Sequence, residues 1–290
     1  MNVWVLLNDN AGRSLPSDEL HSLIERAGHA VVGVAKQYHA QTELPSGIDV
    51  IVAAGGDGTV AAAAAIASKT PAALGILPLG TANNIAMSLG ITGTLPEIVR
   101  HWSTAARMPF DLGRARAGAQ EWLVVEGAGA GLVPAGIARA QAELNERPDN
   151  TPACEVETAV GTFRDTLLDL QPERWTVTLD GTPISDEFLL VEVLNIRSVG
   201  PNLEFAPDAA PGDGYFDVIL ARENDREELM RYLQHRTDGQ TSRLALPHHR
   251  ARQVTIEGLG DLHIDDERVD ARQSGALSIV LEPAALTVLV

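Results

Sequence analysis

Apolar positions in the first hundred residues come in short unbroken runs rather than in alternation. "VWVLLN" (3–8), "VVGVA" (31–35) and "DVIVAAGG" (49–56) are rich in valine, leucine and alanine. The first and last of these predict strands buried on both faces, and 31–35 is strand-like. Between them, residues 18–27 carry apolar positions at helical spacing, and an almost all-alanine stretch follows "GGDG". Strand, helix, strand, helix predicts a parallel sheet covered by helices, with its ligand crevice at the carboxyl ends of the strands. The alanines predict tight helix–sheet packing.

From about Asp111 the texture changes. "EWLVVEGAG" (121–129), "RWTVTLDGTPIS" (174–185), "FLLVEVLN" (188–195), "YFDVILA" (215–221), "QVTIEG" (253–258) and "ALSIVLE" (276–282) are short runs separated by turn signals. They predict an antiparallel β domain, with helical interruptions over 152–170 and 224–236. "EGAGAGLVPAGIARA" (126–140) reads either as a flexible mouth over a pocket or as a bulged strand followed by a helix. The predicted fold class is a Rossmann-like α/β N-terminal nucleotide domain over 1–112 and an antiparallel β-sandwich-like domain over 113–275. A C-terminal segment, 276–290, would return toward the first domain.

Composition narrows the function. With 290 residues and 45% hydrophobic content the chain can bury a sizeable core. A net charge of -17 with 22 basic residues argues against nucleic acid or an anionic bilayer as an electrostatically steered partner. The single cysteine, Cys154, cannot form an internal disulfide, and the N-terminus lacks signal-peptide features, so a cytoplasmic location is expected. No apolar run approaches the ~18–20 residues of a membrane span, which leaves at most peripheral membrane contact. "LPHHRARQ", with His248, His249, Arg250 and Arg252, reads first as a solvated strand end and second as a phosphate or headgroup contact.

The candidate chemistry sits in two turns. Gly55, Gly56 and Gly58 surround Asp57 and precede Thr59 and a helix, so a ligand can approach backbone N–H groups at a positive helix end, where phosphate is the natural guest. Neither a "GK[ST]" nor a "GxGxxG" pattern is present. Asp57 reads as a turn cap or as a ligand-facing carboxylate, in the second case with little part in stability. "GILPLGTANNIA" (75–86) repeats the arrangement, with Thr81, Asn83 and Asn84 leading into a helix. Two such turns in one sheet can face one crevice.

Taken together, "GGDGTV" and "PLGTANNIA" resemble the motifs of the diacylglycerol kinase catalytic-domain family, especially its soluble bacterial lipid-kinase branch, with sphingosine and ceramide kinases as relatives. The resemblance covers nearly the whole chain. "NIRSVGPNLEFAPDAAPGDGYFDV" (195–218) is similar to that family's "P-x-A…DG-x-x-D" segment, "HIDDE" (263–267) to its "DGE", and "NDNAG" to its "NPxxG". It implies that Asn8, Gly55, Gly56, Asp57, Gly58, Thr59, Thr81, Asn83 and Asn84 line an ATP site lying between the two domains. It also implies a magnesium ion on Asp213 with backbone carbonyls near Ala210 and Tyr215. Catalytic roles would fall to Asp57 and to Glu267 as base, assisted by Asp111. Asn84 stands where the family has aspartate, so weaker metal binding is expected. Asp266 stands where it has the turn glycine of "DGE", so the placement of Glu267 depends on aspartate tolerating the turn geometry, as it does better than most residues.

The implied reaction is ATP- and magnesium-dependent phosphorylation of a lipid hydroxyl such as that of diacylglycerol, a step of phospholipid metabolism. An NAD kinase-like enzyme, which shares "GGDGT", and a catalytically weak nucleotide- or lipid-binding protein are the alternatives. The expected partners are a lipid or other hydroxylated small molecule, with no nucleic acid. A homodimer stays open.

Overall fold

The computed structural model describes residues 1–9, 11–12, 15–37, 44–146, 152–240, 242–270 and 275–290. Asn10 and the side chain of Cys154 lie outside the described set. The chain forms two compact units, Met1–Asp111 with Ala284–Val290, and Leu112–Pro283.

The first unit contains β1 (Asn2–Leu7), α1 (Ser17–Arg26), β2 (Ala30–Ala35), β3 (Val50–Gly55), α2 (Asp57–Ala67), β4 (Ala73–Pro78), α3 (Asn84–Ser88) and α4 (Leu95–His101). Its strands lie in the order β2-β1-β3-β4 and all pair in parallel. Every residue of β3 is buried, as its unbroken apolar run requires of a strand covered on both faces. In α2, Ala63 and Ala64 are fully buried, so the alanine run is where helix and sheet pack. The last strand of the chain, β16 (Ala276–Leu289), reaches β4 in parallel register, with Val288 opposite Leu74.

The second unit is a sandwich. One sheet carries β8 (Glu173–Leu179), β9 (Thr182–Phe188), β13 (Gln253–Glu257) and the first part of β16, all antiparallel, with β5 (Arg107–Ala117) pairing β16 and β6 (Gln120–Val124). The other runs in the order β12 (His248–Ala251), β11 (Phe216–Ala221), β10 (Leu190–Leu194), β7 (Gly127–Gly131), β14 (Asp261–Ile264), β15 (Glu267–Asp270). Val177, Val254 and Ile279 of the first sheet share a core with Ala128, Val191, Val193 and Val218 of the second. The far face of the second sheet presents Leu190, Leu194 and Ile219 to α5 (Leu132–Glu146), α6 (Pro152–Asp169) and α7 (Arg226–Thr237).

The α/β and antiparallel β classes follow the local patterns, two elements differ from them, and a third takes one of its two readings. The run 121–129 is two strands, β6 and β7, assigned to different sheets. "RWTVTLDGTPIS" is a hairpin that turns at Asp180 and Gly181, both with positive φ, the turn chemistry that Asp-Gly favours. "EGAGAGLVPAGIARA" resolves into strand β7 and then helix α5. Among the described residues no helix is long and apolar enough to cross a membrane.

Candidate functional site

The two glycine turns meet. Gly55 at the end of β3 lies opposite Pro78 at the end of β4, and the N–H of Leu79 donates to the Gly55 carbonyl at 2.9 Å. A Cβ on Gly80 would stand 2.3 Å from the Gly56 Cα, so the backbones touch where no side chain fits. On Gly55 a Cβ would fall 2.2 Å from Thr59 Oγ1, within its own turn. Gly58 differs, since a Cβ there meets nothing within 4 Å, and at this position the turn borders open space. Asn8, just beyond β1, donates its N–H to the Ala54 carbonyl at 2.9 Å and joins the same strand edge.

Asp57 opens α2, yet its carboxylate serves α3: Oδ2 accepts the Asn84 N–H and Oδ1 the Ile85 N–H, both at 3.0 Å. Two of the donors that a helix start leaves unsatisfied are met, and a negative charge sits at its positive end. The expectation that Asp57 contributes little to stability is therefore corrected, because it ties one turn to the other. Asn83, in the left-handed region at φ 53°, spends its side chain on Gly80, donating to the carbonyl at 2.7 Å and accepting from the N–H at 2.9 Å. Thr59 and Asn84 are buried and Thr81 is half-buried beside them. These nucleotide-site candidates are thus gathered at the carboxyl ends of β1, β3 and β4. Asp111 is placed by another contact: Oδ1, buried, accepts the N–H of Ala284 at 2.6 Å, where the returning chain has φ 49°.

In the second unit, the Ala210 carbonyl accepts the N–H groups of Gly212 and Asp213, and Asp213 Oδ1 that of Tyr215 at 3.0 Å. The other Asp213 oxygen pairs with Arg250, and the guanidinium groups of Arg250 and Arg252 each lie against the Tyr215 ring. Asp213 is the carboxylate of this turn, and among the described residues no cluster of three or more His, Cys, Asp or Glu side chains is arranged for a metal, so any ion here would be completed by carbonyls and water. One carboxylate and neighbouring backbone carbonyls are hard oxygen donors of the kind a magnesium ion takes, and in this structure Asp213 shares its oxygens with the turn and Arg250. Asp213 leads into β11 and Glu267 opens β15, four strands away in the sheet order. The basic cluster is equally engaged: besides Arg250 and Arg252, His248 pairs with the buried Asp217. Burial pushes the Asp217 carboxyl above its ordinary range despite that partner.

Glu267 is exposed at the head of β15, across from Ile264. The hairpin before it turns through Asp265 at φ 50°, while Asp266 has no positive φ. The left-handed position thus falls one residue earlier than expected, and the aspartate at 266 imposes no strain on Glu267. Asp265, which sequence reasoning passed over, anchors the turn: Oδ1 accepts the N–H groups of Val125, Glu126 and Gly127 at 3.1, 2.8 and 3.2 Å. Burial outweighs those bonds and, with the charge of Asp266, pushes the Asp265 carboxyl up to about 6. Also missed were Glu192 and His263, both fully buried and 3.0 Å apart. A glutamate inside the apolar run "LLVEVLN" was the available signal, since a buried carboxylate needs a partner.

Comparison with known proteins gives a consistent likeness. Residues 2–115 match the diacylglycerol kinase catalytic domain, and residues 131–290 the YegS C-terminal NAD kinase beta sandwich-like domain. A diacylglycerol kinase of Mycobacterium tuberculosis (strain ATCC 25618 / H37Rv) is 27% identical over 248 residues, 79% of this chain and 76% of that protein. The diacylglycerol kinase of Bacillus subtilis (strain 168) is 27% identical over 248 residues, 78% of this chain and 76% of that protein. A solved diacylglycerol kinase from Bacillus anthracis str. Sterne superposes with a TM-score of 0.72 at 21% identity, covering 99% of this chain and 96% of that chain.

Proposed function

The chain belongs to the bacterial diacylglycerol kinase and YegS family, and on that footing we propose that it transfers the γ-phosphoryl group of ATP to a hydroxyl of a diacylglycerol-like lipid. The observation that carries this reading is the junction of the two turns at Gly56 and Gly80, which leaves Gly58 facing open space at the start of an eleven-residue helix. A helix start bordered by glycine suits the phosphates of a nucleotide. In the proposal Asn8, Gly55–Thr59, Thr81, Asn83 and Asn84 form the phosphate-binding edge, and Asp57 keeps its two halves in register.

Phosphoryl transfer asks the protein mainly for positioning and charge stabilisation. The lipid oxygen attacks the γ-phosphorus, the bond to the β–γ bridging oxygen breaks, ADP leaves, and the hydroxyl proton passes to a carboxylate, for which the exposed Glu267 is the candidate. Magnesium would enter with ATP and supply charge neutralisation on its phosphates. Asp213, with the carbonyls near Ala210 and Tyr215, would be the protein's share of such an ion's ligands, with Arg250 giving up its contact.

The test is ADP release from ATP with a panel of acceptors: diacylglycerol, monoacylglycerol, sphingosine and NAD. Lipid-dependent turnover with formation of a phosphorylated lipid supports the reading. Turnover on NAD alone replaces it with a nucleotide kinase, and nucleotide binding without turnover on any acceptor reduces it to a binding protein.

A further inference from the structure

The second sheet of the sandwich holds a charged pair that the proposed reaction does not use directly. Glu192 on β10 and His263 on β14 are each directly opposite Gly129 on the strand between them. Side chains in one such row share a face, so a residue at 129 would come between them. A Cβ on Gly129 would lie 2.5 Å from Glu192 Oε2. The missing side chain lets the carboxylate cross the intervening strand and meet His263 Nε2 at 3.0 Å. The other ring nitrogen, Nδ1, is 2.9 Å from the carbonyl of Asp265, the residue at which the hairpin turns toward Glu267.

We propose that Glu192 and His263 are a buried positioning pair that holds the 265–267 turn, and through it the Glu267 carboxylate, in the geometry catalysis requires. The inference rests on the kinase reading for the role of Glu267. Both nitrogens of the ring face oxygen acceptors, so the ring bridges a fixed strand to the turn by donating at each end. The second oxygen of Glu192 has no hydrogen-bond partner among the described residues, which leaves the ring as the neutralising partner of that buried charge. The charged groups facing the ring are Glu192 from β10, Asp265 from the turn, and Arg268 in register on β15, whose guanidinium is turned onto Asp261. From the helical layer, α5 adds the apolar Leu132 and Val133 to that side of the sheet. Burial alone would depress the ring, but the charge of Glu192, the hydrogen bond to it and the Asp265 carbonyl outweigh burial and hold His263 above its ordinary value.

The experiment compares wild type, Glu192→Gln and the double variant Glu192→Leu/His263→Phe, the last because an apolar pair of similar volume can replace a buried ion pair without loss of fold. The double variant should lose roughly 10- to 100-fold in kcat, the scale of a catalytic group displaced by about an ångström, with KM for ATP within about twofold, the signature of an interaction felt in the transition state. Glu192→Gln, which keeps a hydrogen bond to the ring but not the charge, should lose less. A folded double variant with wild-type kcat overturns the proposal. Nitrogen NMR of histidine-labelled wild type supplies a readout independent of activity: Nδ1 should be protonated, and the amide signals of Asp266 and Glu267 should shift in Glu192→Gln. An unprotonated Nδ1, or unmoved amides, also overturns it, even if the double variant does not fold. Should wild type turn over no lipid, the kinase reading fails, while the NMR measurements still decide whether the pair holds the turn.

Discussion

Replacing Gly80 by alanine tests whether the contact between the two turns makes the site. Gly80 is not among the glycines with positive φ, so alanine takes up this backbone without strain and the cost is steric. The new methyl would lie 2.3 Å from the Gly56 Cα and 3.0 Å from Asn83 Oδ1, where carbon contacts need about 3.5–4.0 Å. Relief requires the turns to separate by roughly 1 Å, which as overpacking costs about 1–3 kcal/mol and lowers Tm by several degrees. A misplacement of about 1 Å in a positioning site costs on the order of 10²-fold in rate. Initial-rate measurements of ADP release, varied in ATP, should therefore show kcat/KM down by about that factor, and circular dichroism the drop in Tm. Gly58→Ala is the control, because its methyl meets no protein atom within 4 Å: Tm should not fall, while KM for ATP rises through crowding of the bound nucleotide. A lower Tm for Gly80→Ala with kcat/KM unchanged would refute the reasoning, since the junction would then be packing alone.

Asp57→Ala should lower stability by about 1–3 kcal/mol as well as turnover, because the N–H groups of Asn84 and Ile85 lose their acceptor; a urea midpoint equal to wild type would contradict the capping role. Glu267→Gln, at an exposed position, should reduce kcat by roughly 10²–10⁴-fold with urea midpoint and KM for ATP unchanged; a change confined to KM would remove it from proton transfer. Asp265 has a folded-state pKa of about 6 against 3.8 for the free group, so the native state holds this proton more tightly than the unfolded chain. Its contribution to stability is therefore largest below about pH 4 and declines as pH rises to about 6. Asp265→Asn should remove that component, and urea midpoints followed across this window with the same slope as wild type would count against it.

Local pattern alone determined a good deal. Unbroken apolar runs at 3–8 and 49–56 required strands covered on both faces, and the first unit is a parallel sheet with β3 buried throughout. Glycine and asparagine spacing identified both turns, because the close approach of Gly56 and Gly80 tolerates no side chain and that demand is written at single positions. Sheet membership was not legible: β6 and β7 form one continuous run in sequence, and their separation into different sheets depends on strands far along the chain. Nor was the role of Asp57, whose partners are the N–H groups of Asn84 and Ile85, since an acceptor in a glycine turn does not reveal which helix it will cap. The oxygens of Asp213 have the right chemistry for a hard cation, but that register also brings Arg250 to them could not be read from the sequence. The Glu192–His263 pair could be matched only by tertiary structure, for it joins residues 71 apart across a strand whose Gly129 lacks a side chain. Periodicity reports which face of an element is buried; which partner a buried charge finds is a property of strand order and register, and these are set by the folded chain as a whole.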